Sequence, residues 1–275
     1  MLLFPNAKLN LGLHVVERRP DGFHELETAF IPLPWCDALE VLPTDAPLST
    51  ITLTGRPIAG SAPATNLCLQ AWSLLKADFP ALPAAALHLH KIIPVGAGLG
   101  GGSADAASTL RGLNEVFELG LTTAQLLPYA RRLGADCAFF LVNQPVLATA
   151  RGDAFAPLRL PQLAGCSVVV VWPGVGISTA EAFRRVQPAR PAVPLAACLA
   201  RPLAEWRTAL TNDFEAALAA SYPVIAELKT ALYAAGAAYA ALSGSGSAVF
   251  GLFTQPIAPL EFPAPFVVWQ GSLDF

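Results

Sequence analysis

Pro94-Val95-Gly96-Ala97-Gly98-Leu99-Gly100-Gly101-Gly102-Ser103-Ala104 is the stretch on which the reading of this chain turns. From Gly96 to Gly102, five of seven residues are glycine. Without Cβ atoms, successive backbone N–H groups can converge on one anion at positive φ. Leu87 to His90 alternate apolar and polar side chains, which predicts a strand over residues 86–93 running into the loop. Residues 103–117 are rich in alanine and leucine and predict a helix running out of it. The free N–H groups and dipole of that helix favour an anion. A flexible linker does not sit tightly between a strand and a helix, so the segment predicts a phosphate site. The net charge is −3, so phosphates must be held by local groups. Gly100 and Gly101 are expected to tolerate no Cβ, because the backbone there has to approach the phosphates.

Three phosphate motifs compete for this loop. A Walker A loop ends in Gly-Lys-Ser/Thr, and here Gly102 stands at the lysine position. Gly96-Ala97-Gly98-Leu99-Gly100-Gly101 satisfies G-x-G-x-x-G, which keeps a nicotinamide-dependent oxidoreductase open. That fingerprint also needs a βαβ unit and an acid about 20 residues on, at the end of the next strand. Glu115 and Glu118 fall within or just after the helix instead. No H-R-D catalytic loop of the protein-kinase type occurs. A nucleotide-binding module without catalysis is the other open class. A preference for ATP over NAD separates the oxidoreductase from a kinase, and acceptor-dependent ADP release separates the inert module.

Working outward, residues 7–16 alternate strictly and predict a half-buried strand. Leu9, Leu11, Leu13 and Val15 share one face; Lys8, Asn10, Gly12 and His14 share the other. That second face suits a polar site as well as it suits solvent. Arg19-Pro20-Asp21-Gly22 predicts a turn. Strands are expected near 38–42, 49–53, 138–142 and 146–150. Helices are expected over 66–75 and from Thr122, as cap, to Leu133. Asp136, alone after the helix end at Gly134, reads from pattern alone as a cap or terminator. Residues 151–162 have linker composition, a second set of elements begins at 166–172, and Ser243-Gly244-Ser245-Gly246 turns between apolar runs. Strands come first and helices second, without regular βαβ alternation, which predicts an α+β fold.

Composition narrows the function classes. Hydrophobic residues make up 54% and charged residues 13% of the chain, enough core for one large domain or two modest ones. Mean hydropathy is +0.50, but the most apolar stretch, 163–172, stops at Pro173-Gly174, short of the roughly 20 residues a membrane helix needs. Met1-Leu2-Leu3-Phe4-Pro5 has no basic n-region, so no signal peptide is expected. There is no basic block to favour nucleic acid. Cys36, Cys68, Cys137, Cys166 and Cys198 are dispersed, with no C-x-x-C pair, as reduced thiols of a cytoplasm would be. His88 and His90 share a strand face but do not make a metal site by themselves.

The longer pattern P-x-G-x-G-L-G-G-G-S-A-D-A-A over 94–107 resembles the phosphate loop of the GHMP kinases, a family that phosphorylates small metabolites. Further ordered blocks are similar to one branch of that family, which acts on a cytidyl diphosphate derivative of methylerythritol. They are residues 11–24, Gly134-Ala135-Asp136, residues 173–183, Asn212-Asp213-Phe214-Glu215 and the late glycine turn at 242–250. Two positions depart: Phe23 stands where that branch usually has tyrosine, and Gly152-Asp153 where Gly-Glu is common. The resemblance implies the two-domain GHMP kinase fold, α+β, with residues 1–155 and 156–275 as the domains and the active site in the cleft between them. It implies ATP with Mg²⁺, held by residues 94–104 with Asn66 and Lys91. It implies Lys8 and Asp136 as catalytic residues, and Asn10, Phe23, His24, Thr179 and Phe183 as substrate contacts, with no residue assigned to metal. Ser103 is expected to cap its helix and also to contact phosphate or Mg²⁺. The expected partner is a small molecule, with neither nucleic acid nor membrane, and the expected state a monomer or weak homodimer. Another small-molecule kinase of the family is the alternative.

Overall fold

The computed structural model describes residues 1–57 and 65–273. By contacts the chain divides into two compact units: residues 1–7, 35–95 and 100–143 form one, and residues 8–34, 96–99 and 144–275 the other.

The first unit is built on a four-stranded sheet in the order Leu2–Leu3, Ala38–Pro43, Ala85–Lys91, Thr50–Gly55. The last pair is parallel and the other pairs antiparallel. Helix Leu67–Asp78 lies in the chain between the parallel strands, so one βαβ crossover does occur in a fold otherwise read correctly as α+β. In Ala85–Lys91, Leu87, Leu89 and Lys91 point to the buried face, and His88 and His90 to solvent. Helix Gly101–Val116 packs its alanines and Leu110 and Leu113 inward. A Cβ on Gly112 would lie 2.8 Å from Val41 Cγ2 and 2.9 Å from Leu3 Cδ1. The helix therefore packs closely on the sheet at Gly112. Helices Thr123–Leu133 and Ala135–Val142 complete the unit. The first opens on the expected Thr122 cap, as a capping box with Gln125.

The second unit holds two antiparallel sheets. One runs Asn6–Arg18, His24–Cys36, Val146–Thr149, Ala154–Pro157; the other runs Tyr239–Leu242, Val249–Phe253, Ser167–Trp172, Val267–Ser272. Val168 to Val171 are buried on both faces. Val169 and Val171 pack with Phe214, Leu218, Ile225, Leu228 and Leu232 from helices Asp213–Leu218 and Val224–Ala234. Leu13 and Val15 of the first long strand join this core, so residues 8–34 group with the C-terminal part. The backbone agrees: Leu13 N donates to Thr211 O at 2.9 Å, and Val15 N to Asp213 Oδ2 at 2.8 Å.

Four expectations are corrected. The first strand is buried on both faces from Ala7 to Val15, not half-buried, because its polar side is covered: a Cβ on Gly12 would meet Leu195 Cδ1 at 2.5 Å, and one on Gly244 would lie 3.1 Å from Lys8 Nζ and 3.3 Å from Asn10 Oδ1. The helix after the loop begins at Gly101, so Ser103 lies in its first turn and does not cap it. Residues 135–142 form a helix rather than a strand; their continuous apolar run has no period-two alternation that could have decided. The supposed linker contains strand Ala154–Pro157, paired with Val146–Thr149 at the sheet edge, where proline is tolerated.

Candidate active site

Gly96, Gly98 and Gly100 have φ of 68°, 78° and 72°, the left-handed region that L side chains avoid. Ala97 and Leu99 between them are buried. Four successive carbonyls are taken by protein donors. Gly96 O accepts from Ile177 N at 3.4 Å, Ala97 O from Ala248 N at 2.9 Å, and Leu99 O from Lys8 N at 3.0 Å. Gly98 O accepts from Ser243 Oγ at 2.9 Å and Lys8 Nζ at 2.7 Å. In a planar trans peptide the next N–H points opposite to the carbonyl. The N–H groups of residues 97–100 therefore face away from the donors that hold the loop, which is the arrangement an external anion needs.

The helix start adds to it. Helices beginning at Leu67, Thr123, Thr179 and Asp213 are closed by the side chains of Asn66, Thr122, Ser178 and Asn212. At Gly101–Val116 the cap is Gly100, and among the described residues no side chain closes the N-terminus. Its first N–H groups have no partner within the helix. Among the described residues a Cβ on Gly102 would meet nothing within 4 Å, whereas one on Gly101 would lie 3.0 Å from Ile93 Cγ2 and 3.2 Å from Lys91 Nζ. The residues present thus fit a phosphate chain, and Gly102 is the position that faces open space. Ser103 is half-buried, and its side chain hydrogen-bonds the Cys137 thiol, which burial pushes up to about 12.

Lys8 is buried, and its Nζ donates to Asn10 Oδ1 at 2.5 Å as well as to Gly98 O. The ring of Phe30 lies 5.3 Å away. Asn10 Nδ2 donates to Thr28 Oγ1 at 2.9 Å, and Thr28 Oγ1 to Gly12 O at 2.6 Å. Lys8 and Asn10 therefore belong to one buried relay that ends on the loop. Asp136 is half-buried in the first turn of helix Ala135–Val142, where a helix N-terminus favours a carboxylate.

The expected substrate residues fall into two contacts and one pair. His24 stacks on Phe183 with centroids 4.7 Å apart and planes at 22°. Burial, with Arg18 nearby, holds the His24 imidazole below the ordinary histidine value. Phe23 follows the predicted turn, closed by Arg19 N donating to Phe23 O at 2.8 Å. Phe23 is 55% exposed, with the Arg151 guanidinium 5.1 Å from its ring centre. Phe23 is therefore not part of the hydrophobic core. Thr179 Oγ1 lies 3.4 Å from Ser245 Oγ of the late glycine turn.

Asp37 and Asp105 were not legible as site residues. Lys91 Nζ donates to Asp37 Oδ2 and, at 2.7 Å, to Asp105 Oδ2, with all three side chains buried. Burial alone would push Lys91 down, but Asp105 and Asp37 hold it above the ordinary lysine value. Burial, reinforced by Asp37 and only partly offset by Lys91, raises Asp105 to about 7. Asn66, the other expected nucleotide contact, caps its helix by accepting from Cys68 N at 2.9 Å. The available signal was Lys91 itself, a cation in register with Leu87 and Leu89 on a buried strand face.

Comparison with known proteins points the same way. The GHMP kinases N terminal domain matches residues 66–144, and the GHMP kinases C terminal domain residues 195–260. The chain is 48% identical to 4-diphosphocytidyl-2-C-methyl-D-erythritol kinase of Bacteroides fragilis, over 97% of each chain. It is 47% identical to the protein of that name from Cytophaga hutchinsonii, over 93% of this chain and 94% of that one. A crystal structure of 4-(cytidine 5'-diphospho)-2C-methyl-D-erythritol kinase is 35% identical, with TM-score 0.78, covering 93% of this chain and 91% of the other.

Proposed function

The chain belongs to the GHMP kinase family, and from that premise we propose that it transfers the γ-phosphoryl group of ATP to the 2-hydroxyl of 4-diphosphocytidyl-2-C-methyl-D-erythritol. It is a phosphotransferase with an alcohol acceptor, in the non-mevalonate route to isoprenoid precursors. The observation that carries the reading is the glycine loop, with its carbonyls turned into protein and its helix start closed by no side chain. The choice of acceptor is supported by the shared name of near-full-length relatives.

In this proposal residues 94–104 and Asn66 hold the nucleotide, and Lys91 serves it from beneath the loop. Residues 1–155 are the functional domain that carries ATP loop and catalytic residues, and residues 156–275 the second. ATP supplies the group transferred, and Mg²⁺, when bound with it, would screen the phosphate charge. Among the described residues no three His, Cys, Asp or Glu side chains gather to hold a metal. Phosphoryl transfer has a loose transition state, so the chain acts chiefly by position and charge. Asp136 accepts the proton of the acceptor hydroxyl, and Lys8 offsets negative charge on the transferring group. Asn10, Phe23, His24, Thr179 and Phe183 face the cytidyl substrate. The enzyme works in the cytoplasm as a monomer or weak homodimer. Among the described residues no helix is long and apolar enough to cross a membrane.

A panel of acceptors with coupled ADP detection tests the reading. ADP release should depend on the cytidyl compound; release with mevalonate or homoserine but not with it would overturn the assignment. Within the panel, Phe23→Ala should raise KM for the cytidyl acceptor by about 5- to 150-fold, the equivalent of one base-stacking contact of 1–3 kcal/mol, and leave KM for ATP unchanged. Because Phe23 is exposed, Tm should hold, and Phe23→Tyr should behave as wild type. A fall in Tm without a change in acceptor KM would remove Phe23 from the site.

A further inference from the structure

We propose that Asp37, Lys91 and Asp105 form a buried positioning cluster that fixes both ends of the phosphate loop, so that Lys91 serves the nucleotide without touching it. The proposal rests on the ATP reading above and names what holds that site in shape.

The cluster reaches the loop entrance through Asp37. Its Oδ2 takes Lys91, while its Oδ1 accepts from Ile92 N at 2.5 Å and Ile93 N at 2.8 Å. These are the last two N–H groups before Pro94, which has none. It reaches the loop exit through Asp105, one turn into helix Gly101–Val116. The first turn of that helix rests on the cluster, because a Cβ on Gly101 would lie 3.2 Å from Lys91 Nζ. One ammonium group therefore joins the strand that enters the loop to the helix that leaves it.

Net stability is a poor explanation for such a cluster. Removing charged groups from water costs several kcal/mol per ion, and apolar replacements of buried ion pairs are often neutral or stabilising. The cluster is also incompletely satisfied: Asp105 Oδ1 is buried without a hydrogen-bond partner among the described residues. What it supplies is geometry. A loop that must present N–H groups to phosphate loses binding when its ends drift, and a displacement of about 1 Å can cost about 10²-fold in rate. Lys91 cannot also reach out to a nucleotide without abandoning two buried carboxylates, and its side chain is 1% exposed.

Asp105→Ala and Asp105→Asn test this, read by KM for ATP, KM for the acceptor, and amide hydrogen exchange of residues 92–104 without nucleotide. Asp105→Ala should raise KM for ATP by about 10-fold or more, leave the acceptor KM unchanged, and speed exchange in residues 92–104 alone. Asp105→Asn keeps an oxygen for Lys91 and should restore both readouts to near wild type. A lowered Tm with unchanged ATP KM and unchanged loop exchange would overturn the proposal, as would an equal rise in both KM values. If Asp105→Ala does not fold, Asp37→Asn is read instead: faster exchange at Ile92 and Ile93 with a raised ATP KM supports the cluster, and a Tm change alone refutes it. Exchange needs no nucleotide, so it decides the cluster's role even for a protein that fails to turn over ATP.

Discussion

Asp136→Asn and Lys8→Ala should each lower kcat by about 10²-fold or more, the scale of a positioned acid–base group, and the double variant should be little worse than the poorer single one. Asparagine keeps the shape of Asp136 at the start of helix Ala135–Val142 but cannot take a proton from an alcohol. Alanine at position 8 removes a cation held on Asn10 and Gly98 O. Groups that act as a unit in one step do not add when deleted, so the cycle tests joint action as well as importance. ATP binding should survive in all three variants. Gly98 O keeps its bond from Ser243 when Lys8 is gone, and neither substitution alters the glycines. Pre-steady-state phosphoryl transfer with saturating ATP and cytidyl acceptor measures the chemical step. Near-normal rates in Asp136→Asn would remove the general base and leave positioning alone.

Gly98→Ala should be the most damaging single change in the loop. Position 98 sits at φ 78°, where an L side chain costs about 1–2 kcal/mol. The added Cβ would also fall 1.9 Å from Ser243 O and 3.1 Å from Gly246 N. Both are backbone atoms of the late glycine turn, which Asn212 Nδ2 pins by donating to Leu242 O and Gly244 O, each at 2.9 Å. Neither side can yield cheaply. Strain and overpacking together should cost about 3 kcal/mol or more, about 6–12 °C in Tm for a chain of this size. Kinase activity should be lost with the loop geometry. Calorimetry and a kinase assay on the purified variant check this, and a wild-type Tm with wild-type kinetics would show that the two glycine turns do not meet as described.

Both expectations depend on features with unequal sequence signals. The strand–glycine–helix order was legible because each part has a local signature: alternation before Pro94, missing Cβ atoms in the loop, alanine and leucine after it. Thr122 was legible for the same reason, since a capping box lies within four residues. The burial of Lys8, Asn10 and Gly12 was not. Alternation tells which residues share a face, but what covers this one, Gly98, Leu195, Leu210 and Gly244, is remote in sequence. Residues 135–142 misled because Cys137 to Leu141 are all buried, and a continuous apolar run reads alike as buried strand or buried helix. The Asp37–Lys91–Asp105 cluster joins three stretches that no local pattern connects. Its trace was a lysine on an apolar face in a chain with only four lysines, and that lysine was read as reaching for a ligand rather than inward.

The structure also moves the sharpest test of the phosphate loop from Gly101, where a Cβ would press on Ile93 and Lys91, to Gly102, where it would lie within 4 Å of no atom of the described residues. Gly102 lies inside the helix at ordinary φ, and alanine there should add about 0.5–1 kcal/mol of stability by restricting the unfolded chain. If the loop cradles the phosphates of ATP, the same methyl group occupies the space they need. The measurement is Tm and the equilibrium Kd for ATP, taken together on Gly102→Ala. The result expected is a Tm equal to or above wild type with Kd for ATP raised about 10-fold or more, by analogy with the loss on misplacing a phosphate contact; an unchanged Kd would contradict the account at its centre.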